Sequence, residues 1–279
     1  MWSIYPKLYK EADMNQNVIR MFSRIKFKHN VNKKFHLSKM LEELSKGDTP
    51  FFTEGATSMR GCISINFAKD DERARKVVKR SNYRMTGKMC SRRNGRMVQW
   101  ESHYEKGAFQ LLETSPYVAS YREQPATLKF HNGDGLIQTH FPDIFVELIN
   151  GAKIFIEVKP ESAKDDQELM VRENLLKRLL ATKGFNYIQI YPEQIKSFHY
   201  LENAQHMLWH INEQIPYPMK VKVQEFLSKN LKVSLVLLLN FTNNPKAKSW
   251  IFGLMIEGII KCDLSKPLSA NPLITSKKQ

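Results

Sequence analysis

The stretch FPDIFVELINGAKIFIEVKP, residues 141–160, decides how the rest of the chain is read. Two apolar-rich segments, 141–148 and 153–158, flank Asn150-Gly151, a dipeptide favoured where both turn residues need positive φ. Together they predict a β-hairpin. Side chains alternate between the faces of a strand, so Glu157 and Lys159, two residues apart, point to the same side. Asp143 sits near the start of the preceding strand, which the turn folds back alongside. The hairpin thus gathers two carboxylates and a lysine at one end. Ile154, Phe155, Ile156 and Val158 surround the pair with apolar neighbours, where charge is costly unless paired or metal-bound. The alternative is an exposed edge strand carrying an ordinary i,i+2 ion pair.

Phosphodiester hydrolysis supplies a reason for these residue types. Hard oxygen ligands hold Mg²⁺, or Mn²⁺ in its stead, which polarises the scissile phosphate and lowers the pKa of a bound water. A lysine beside them can orient or deprotonate that water and steady the developing charge. Asp143, Glu157 and Lys159, with Pro142 ahead of the aspartate, form the P-D…(D/E)-x-K arrangement of restriction-endonuclease-like nucleases.

Working outward, residues 98–199 read as α/β. A helix at 102–113 carries Tyr104, Ala108, Leu111 and Leu112 on one face, and a short strand covers 127–130. After the hairpin comes a helix at about 165–183, whose buried stripe is Leu169, Leu175, Leu176, Leu179 and Leu180. Gly184 ends it before a strand at 187–191. From about residue 201 the pattern is mainly helical, with helices at 204–214 and 218–230 and an element at 234–240 that fits helix or strand. Asn244-Pro245 has the form of an N-cap followed by Pro at the first helical position, opening a helix to Glu257. Gly258 stops it, and 259–264 with 273–276 suit a hairpin. Helices followed by a two-stranded wing suit either a winged-helix module or a generic helical appendage.

Residues 1–97 are basic and irregular, with one helix at about 36–44. The chain carries 43 Lys and Arg against 28 Asp and Glu, a net charge of +15. That excess favours a polyanionic partner, since neutralised phosphates release condensed counterions. Between Arg73 and Arg96 stand ten basic residues and no acid. Such a block repels itself unless an anion lies beside it, which makes Arg92, Arg93 and Arg96 candidates for contact with the DNA backbone. The three cysteines, Cys62, Cys90 and Cys262, have no zinc-like spacing and read as reduced thiols. The N-terminus lacks an apolar signal region, and the longest aliphatic run, VSLVLLL at 233–239, is too short to span a bilayer. The expectation is a soluble cytoplasmic protein with three parts: a basic region 1–97, an α/β nuclease core 98–200 and a mainly helical C-terminal domain 201–279.

The order of segments adds a resemblance. An ES-x-x-E helix (Glu101, Ser102, Glu105), an EQP segment (Glu123–Pro125), then Pro142-Asp143 and finally Glu157-Val158-Lys159-Pro160 resembles the TnsA family, the endonuclease subunit of heteromeric cut-and-paste transposons. The likeness covers residues 96–191. Glu105 matches the family's helical acid, Asp143 its first strand acid and Lys159 its strand lysine, while Glu157 falls where the family has Gln or Glu. The resemblance implies a restriction-like core, with Glu105, Asp143 and Glu157 as metal ligands and Mg²⁺ dependence. It also implies nicking that frees the 5′ ends of a transposon, beside an RNase-H-like transposase that cuts the 3′ ends. A winged-helix-like C-terminal domain would contact that transposase and an AAA+ ATPase. The nearly one hundred residues before the core depart from the family. A stand-alone restriction or junction-resolving nuclease and a catalytically silent DNA-binding adaptor remain the rival readings. Around the site, His103 and His140 suit ligands or, more commonly, polar surface residues. Glu101 offers an alternative ligand, Gln124 a phosphate contact or a turn brace, and Trp100, Trp209 and Trp250 core positions.

Overall fold

The computed structural model describes residues 36–47, 63–69, 72–75, 85–132 and 135–276. In chain order the first half contains α1 (Leu37–Ser45), β1 (Ile63–Phe67), β2 (Gly87–Ser91), β3 (Arg96–Trp100), α2 (His103–Thr114), β4 (Val118–Glu123), β5 (Ala126–His131), β6 (Ile137–His140), β7 (Ile144–Leu148) and β8 (Lys153–Val158). Then follow α3 (Gln167–Ala181), β9 (Asn186–Ile190), α4 (Pro192–Lys196) and α5 (Tyr200–His210). The C-terminal part holds α6 (Tyr217–Lys229), β10 (Val233–Ser234), α7 (Leu235–Thr242), α8 (Ala247–Ile256), β11 (Ile260–Cys262) and β12 (Leu273–Ser276).

The centre is a mixed sheet in the order β4-β7-β8-β9. β7 runs antiparallel to β4 and β8, whereas β9 is parallel to β8. A parallel neighbour needs a crossover, and α3 supplies it. Alternation along the strands sends Ile144, Val146, Ile154, Ile156, Ile188 and Ile190 to one face, where α1 and α2 pack on them. Phe155 and Tyr187 face the other way, against Leu176, Leu179 and Leu180 of α3. β8 is therefore covered on both sides, as its nearly unbroken apolar run requires. The predicted hairpin is present with a different turn. Only Gly151 has positive φ, at 83°, and the Gly151 amide donates to the Leu148 carbonyl at 2.9 Å. Leu148 then pairs again with Ala152, so the loop has three residues and a left-handed glycine closes it.

The described segments before residue 98 are built into this body. Leu37, Met40, Leu41 and Leu44 of α1 are buried in the same cluster as α2. β1 pairs antiparallel with β5, completing a second sheet, β1-β5-β6. β2 and β3 form a hairpin whose turn is fastened by Glu113 of α2. That carboxylate accepts from the Ser91 hydroxyl and the Tyr121 phenol at 2.8 and 2.7 Å, and from the Arg92 and Arg93 amides at 2.8 and 2.9 Å.

The C-terminal part has its own buried cluster, built from α6, α7, α8 and a sheet in the order β10-β12-β11. The segment at 234–240 is both of the predicted things: a two-residue strand followed by a helix. Asn244 is not the N-cap. Its side chain accepts from the Lys246 amide at 2.9 Å, which tightens a turn and delays the helix to Ala247. The helix predicted at 204–214 begins and ends about one turn earlier, because the amides of Asn212 and Glu213 bond to the Ser249 hydroxyl instead of continuing it. Trp100 and Trp250 are core residues, but Trp209 is 86% exposed. Among the described residues, no helix is long and apolar enough to cross a membrane.

Candidate active site

The site lies at the end of the central sheet where β7 begins and β8 ends. Ile144 pairs with Ile156, and Asp143 and Glu157 each lie one step beyond that pair. The Val158 amide donates to Asp143 Oδ2 at 2.8 Å, locking the aspartate across the two strands. Lys159 continues past β8, its amide bonded to the Ile190 carbonyl, and its Nζ lies 2.6 Å from Glu157 Oε1. His140, from the end of β6, reaches the other oxygen of Glu157 at 3.1 Å.

Electrostatics distinguish the two strand acids. Burial pushes the Asp143 carboxyl well above the usual carboxylate range, and the neighbouring charges of Glu157 and Glu105 add to that push. Burial acts the same way on Glu157, yet the hydrogen bonds and charges of His140 and Lys159 outweigh it and hold Glu157 low. Burial alone would lower Lys159, but Glu157, Glu173 and Asp143 keep it raised and charged.

Glu105 stands at the third position of α2, where it is tied to the N-cap residue Ser102 and to the residue before it. The Ser102 hydroxyl accepts from the Glu105 amide and donates to its Oε1, each at 3.1 Å, while the Glu101 amide donates to Oε2 at 2.9 Å. Burial raises the Glu105 carboxyl against these bonds, with the Glu101 charge adding to the rise. The structure therefore brings Asp143, Glu157 and Lys159 together directly, with Glu105 close enough to act on Asp143 electrostatically but occupied as a helix cap. Among the described residues, no three His, Cys, Asp or Glu side chains are gathered tightly enough to hold a metal ion as they stand.

One partner, Glu173, escaped the sequence reading, and others that it had weighed take definite places. His140 is not a surface histidine, its side chain being 10% exposed against Glu157. Glu173 of α3 is 3% exposed, accepts from the Tyr187 phenol and lies 3.7 Å from Lys159 Nζ. A signal for it exists, since Glu173 precedes Leu176 and Leu180 at i+3 and i+7 and stands in the buried stripe where a leucine is expected. Glu101 serves a neighbouring cluster: Arg73 and Arg75 pair with it at 2.6 and 3.2 Å, and the Gln124 amide donates to it. Gln124 is a turn brace. It is left-handed at φ 39°, and its backbone amide bonds to the Asp143 carbonyl at 2.7 Å.

The three arginines selected from the basic block have partners inside the protein. Arg96 forks onto Glu123, with both bonds at 2.9 Å. Arg93 donates to the carbonyls of Val118, Glu113 and Ser115. Arg92 is exposed and reaches the Ile211 carbonyl. Of the rest of the block, Lys76, Lys79, Arg80 and Arg84 lie outside the described residues, as does Cys62.

Residues 115–191 match the family model described as TnsA-like endonuclease N terminal. The match spans β4 to β9 and so includes Asp143, Glu157 and Lys159, whereas Glu105 lies ahead of it. The likeness to a TnsA-like endonuclease domain is confined to these residues, and it supports a nuclease activity in general. No curated protein matches the chain.

Proposed function

We propose that this protein is a Mg²⁺-dependent DNA endonuclease that cleaves the 5′ ends of a transposon, in concert with an RNase-H-like transposase that cuts the 3′ ends. The observation that carries this reading is the Asp143–Glu157–Lys159 grouping inside the segment that matches the TnsA-like endonuclease model. The order of α2, β4, β7, β8, α3 and β9 around one mixed sheet supports a restriction-endonuclease-like core, at residues 98–200. The order helix, strand, helix, helix, strand, strand from α6 to β12 supports a winged-helix domain at 201–279, the surface for the transposase and an AAA+ ATPase.

The chemistry of the donor set fits a divalent cation. Asp143 and Glu157 are hard oxygen donors held side by side, and burial, with the charges of Glu157 and Glu105, raises the Asp143 carboxyl. Glu105 would join them directly or through water once released from its cap. A bound Mg²⁺ or Mn²⁺ would supply Lewis-acid polarisation of the scissile phosphodiester. The chain's own residues do the rest. Asp143 and Glu157 would hold that ion, and Lys159, charged and held by Glu157, would steady the charge that builds on the phosphoryl oxygens. His140 fixes Glu157 from its other oxygen. Double-stranded DNA would lie across this end of the sheet. Of the three arginines, Arg92 alone is free enough to take a phosphate without breaking an internal fork.

Lys159→Ala tests the assignment. In the assembled complex on end-bearing DNA, with each strand scored separately, 5′-end cleavage should fall on the order of 10²-fold or more, as for other positioned charge-stabilising groups. DNA affinity should stay near wild type. Cleavage at the wild-type rate would remove Lys159 from the chemistry.

A further inference from the structure

We infer that Glu173 is the residue that lets Glu157 bind a cation, by taking over Lys159 when Glu157 turns away from it. The inference rests on the reading of Asp143 and Glu157 as ligands of a divalent ion.

Both oxygens of Glu157 are already engaged. His140 holds Oε2 at 3.1 Å and Lys159 holds Oε1 at 2.6 Å. A divalent ion bound at Oε1 would repel the ammonium on that same oxygen and drive it away. Were Lys159 released with nothing in reach, a side chain only 13% exposed would carry an unpaired charge, which is strongly disfavoured. Glu173 Oε1 waits 3.7 Å from the same nitrogen, about an ångström short of a close ion pair. Its geometry is prepared for that transfer. The Tyr187 phenol fastens Oε2, leaving Oε1 turned to Lys159 and to Arg172, which lies at 2.9 Å. An acid in the leucine stripe of α3 is costly on packing grounds alone, and Arg172, Tyr187 and the nearby Lys159 together offset that cost. Glu173 touches neither substrate nor cation in this scheme. It is a positioning residue that acts through Lys159, keeping the ammonium charged and beside the strand acids while Glu157 is engaged elsewhere.

The scheme predicts a coupling between Glu173 and Lys159 in cation affinity. Mg²⁺ binding to the full chain is measured by calorimetry for wild type, Glu173→Gln, Lys159→Met and the double variant. Glu173→Gln keeps an acceptor for Tyr187 and should weaken Mg²⁺ binding about tenfold, about 1.4 kcal/mol. The same change in the Lys159→Met background should have almost no effect, because no ammonium needs a home. Glu173→Asp should recover part of the loss. Tyr187→Phe is the second arm, to be used if Glu173→Gln does not fold: it frees the carboxylate from its brace and should also weaken binding only when Lys159 is present. Wild-type affinity in the folded Glu173→Gln protein overturns the inference. So does equal weakening with and without Lys159, the mark of a merely structural acid. If Asp143→Ala binds Mg²⁺ as tightly as wild type, the underlying reading of the site has failed and the inference falls with it.

Discussion

Glu113 is buried and Asp143 half-buried against the same core, and their surroundings are opposite. Glu113, near the C-terminal end of α2, accepts from two hydroxyls and two backbone amides. Arg93 packs alongside, its charge acting on the same group. Asp143, near the other end of that helix, accepts from the single amide of Val158 and faces the carboxylates of Glu157 and Glu105. A buried charge is tolerated when hydrogen bonds replace the water it gave up. At Glu113 that replacement is complete, and the result is a fastening for the β2–β3 hairpin. At Asp143 it is incomplete, and like charges are held together against their repulsion. Such an arrangement costs stability and is the usual mark of a site awaiting a ligand.

The comparison can be broken most forcefully at Glu113. Glu113→Ala should destabilise the fold by about 3–5 kcal/mol, because two amides and two hydroxyls would be left buried without their acceptor. Chemical denaturation measures it, and a loss below about 1 kcal/mol would mean that the fastening is incidental.

His36 sharpens the contrast with a third way of living inside the core, namely neutrality. Its Nδ1 accepts from the Ser38 amide at 3.2 Å and caps α1, and its Nε2 bonds to the Ile195 carbonyl at 2.9 Å. Burial lowers the imidazole to about 4. The folded value thus lies below the ordinary 6.5, so between these values an unfolded chain takes up a proton that the folded one refuses. The stability is present above pH 6.5 and declines as pH falls toward 4, by about 3 kcal/mol in all. His36→Asn retains a cap acceptor and cannot titrate, so its unfolding free energy should decline less over that window. Parallel curves for the two proteins would count against a neutral His36.

At Asp143 the sign reverses. Asp143→Asn keeps an acceptor for the Val158 amide and removes one of the repelling charges. It should raise stability by about 0.5–2 kcal/mol in the absence of divalent ions, while abolishing the rise in melting temperature expected of the wild type with Mg²⁺. A destabilised variant would show that Asp143, like Glu113, is a structural acid.

The smallest effect is expected at the surface. Arg92→Gln should lower the slope of log K against log salt for duplex binding by about one, in the manner of a lost phosphate contact. Arg96→Gln should leave that slope alone and act instead on stability through the broken fork to Glu123. Equal slope changes for both would put the whole hairpin against DNA.

Much of this site is legible in the sequence, and the legible part is local. Residues 141–160 determine their own pairing, because period-two alternation and a glycine able to close the loop are properties of a few neighbouring residues. From that pairing alone Asp143, Glu157 and Lys159 share one end of a hairpin. The apolar run of β8 likewise declares a strand covered on both faces. Tertiary structure decided what meets those residues. His140 and Glu173 arrive from other elements, one to hold Glu157 and the other to stand beside Lys159. Glu105 lies where the sequence suggested, at the start of α2, but its oxygens close a helix cap. From the basic block, Arg73 and Arg75 find a carboxylate in Glu101, and Arg96 finds one in Glu123. The physical reason is common to all of these. Strand parity and turn chemistry are fixed over a few bonds, whereas the partner of a charge depends on which faces pack together, and that is settled only when distant segments have buried their apolar sides against one another.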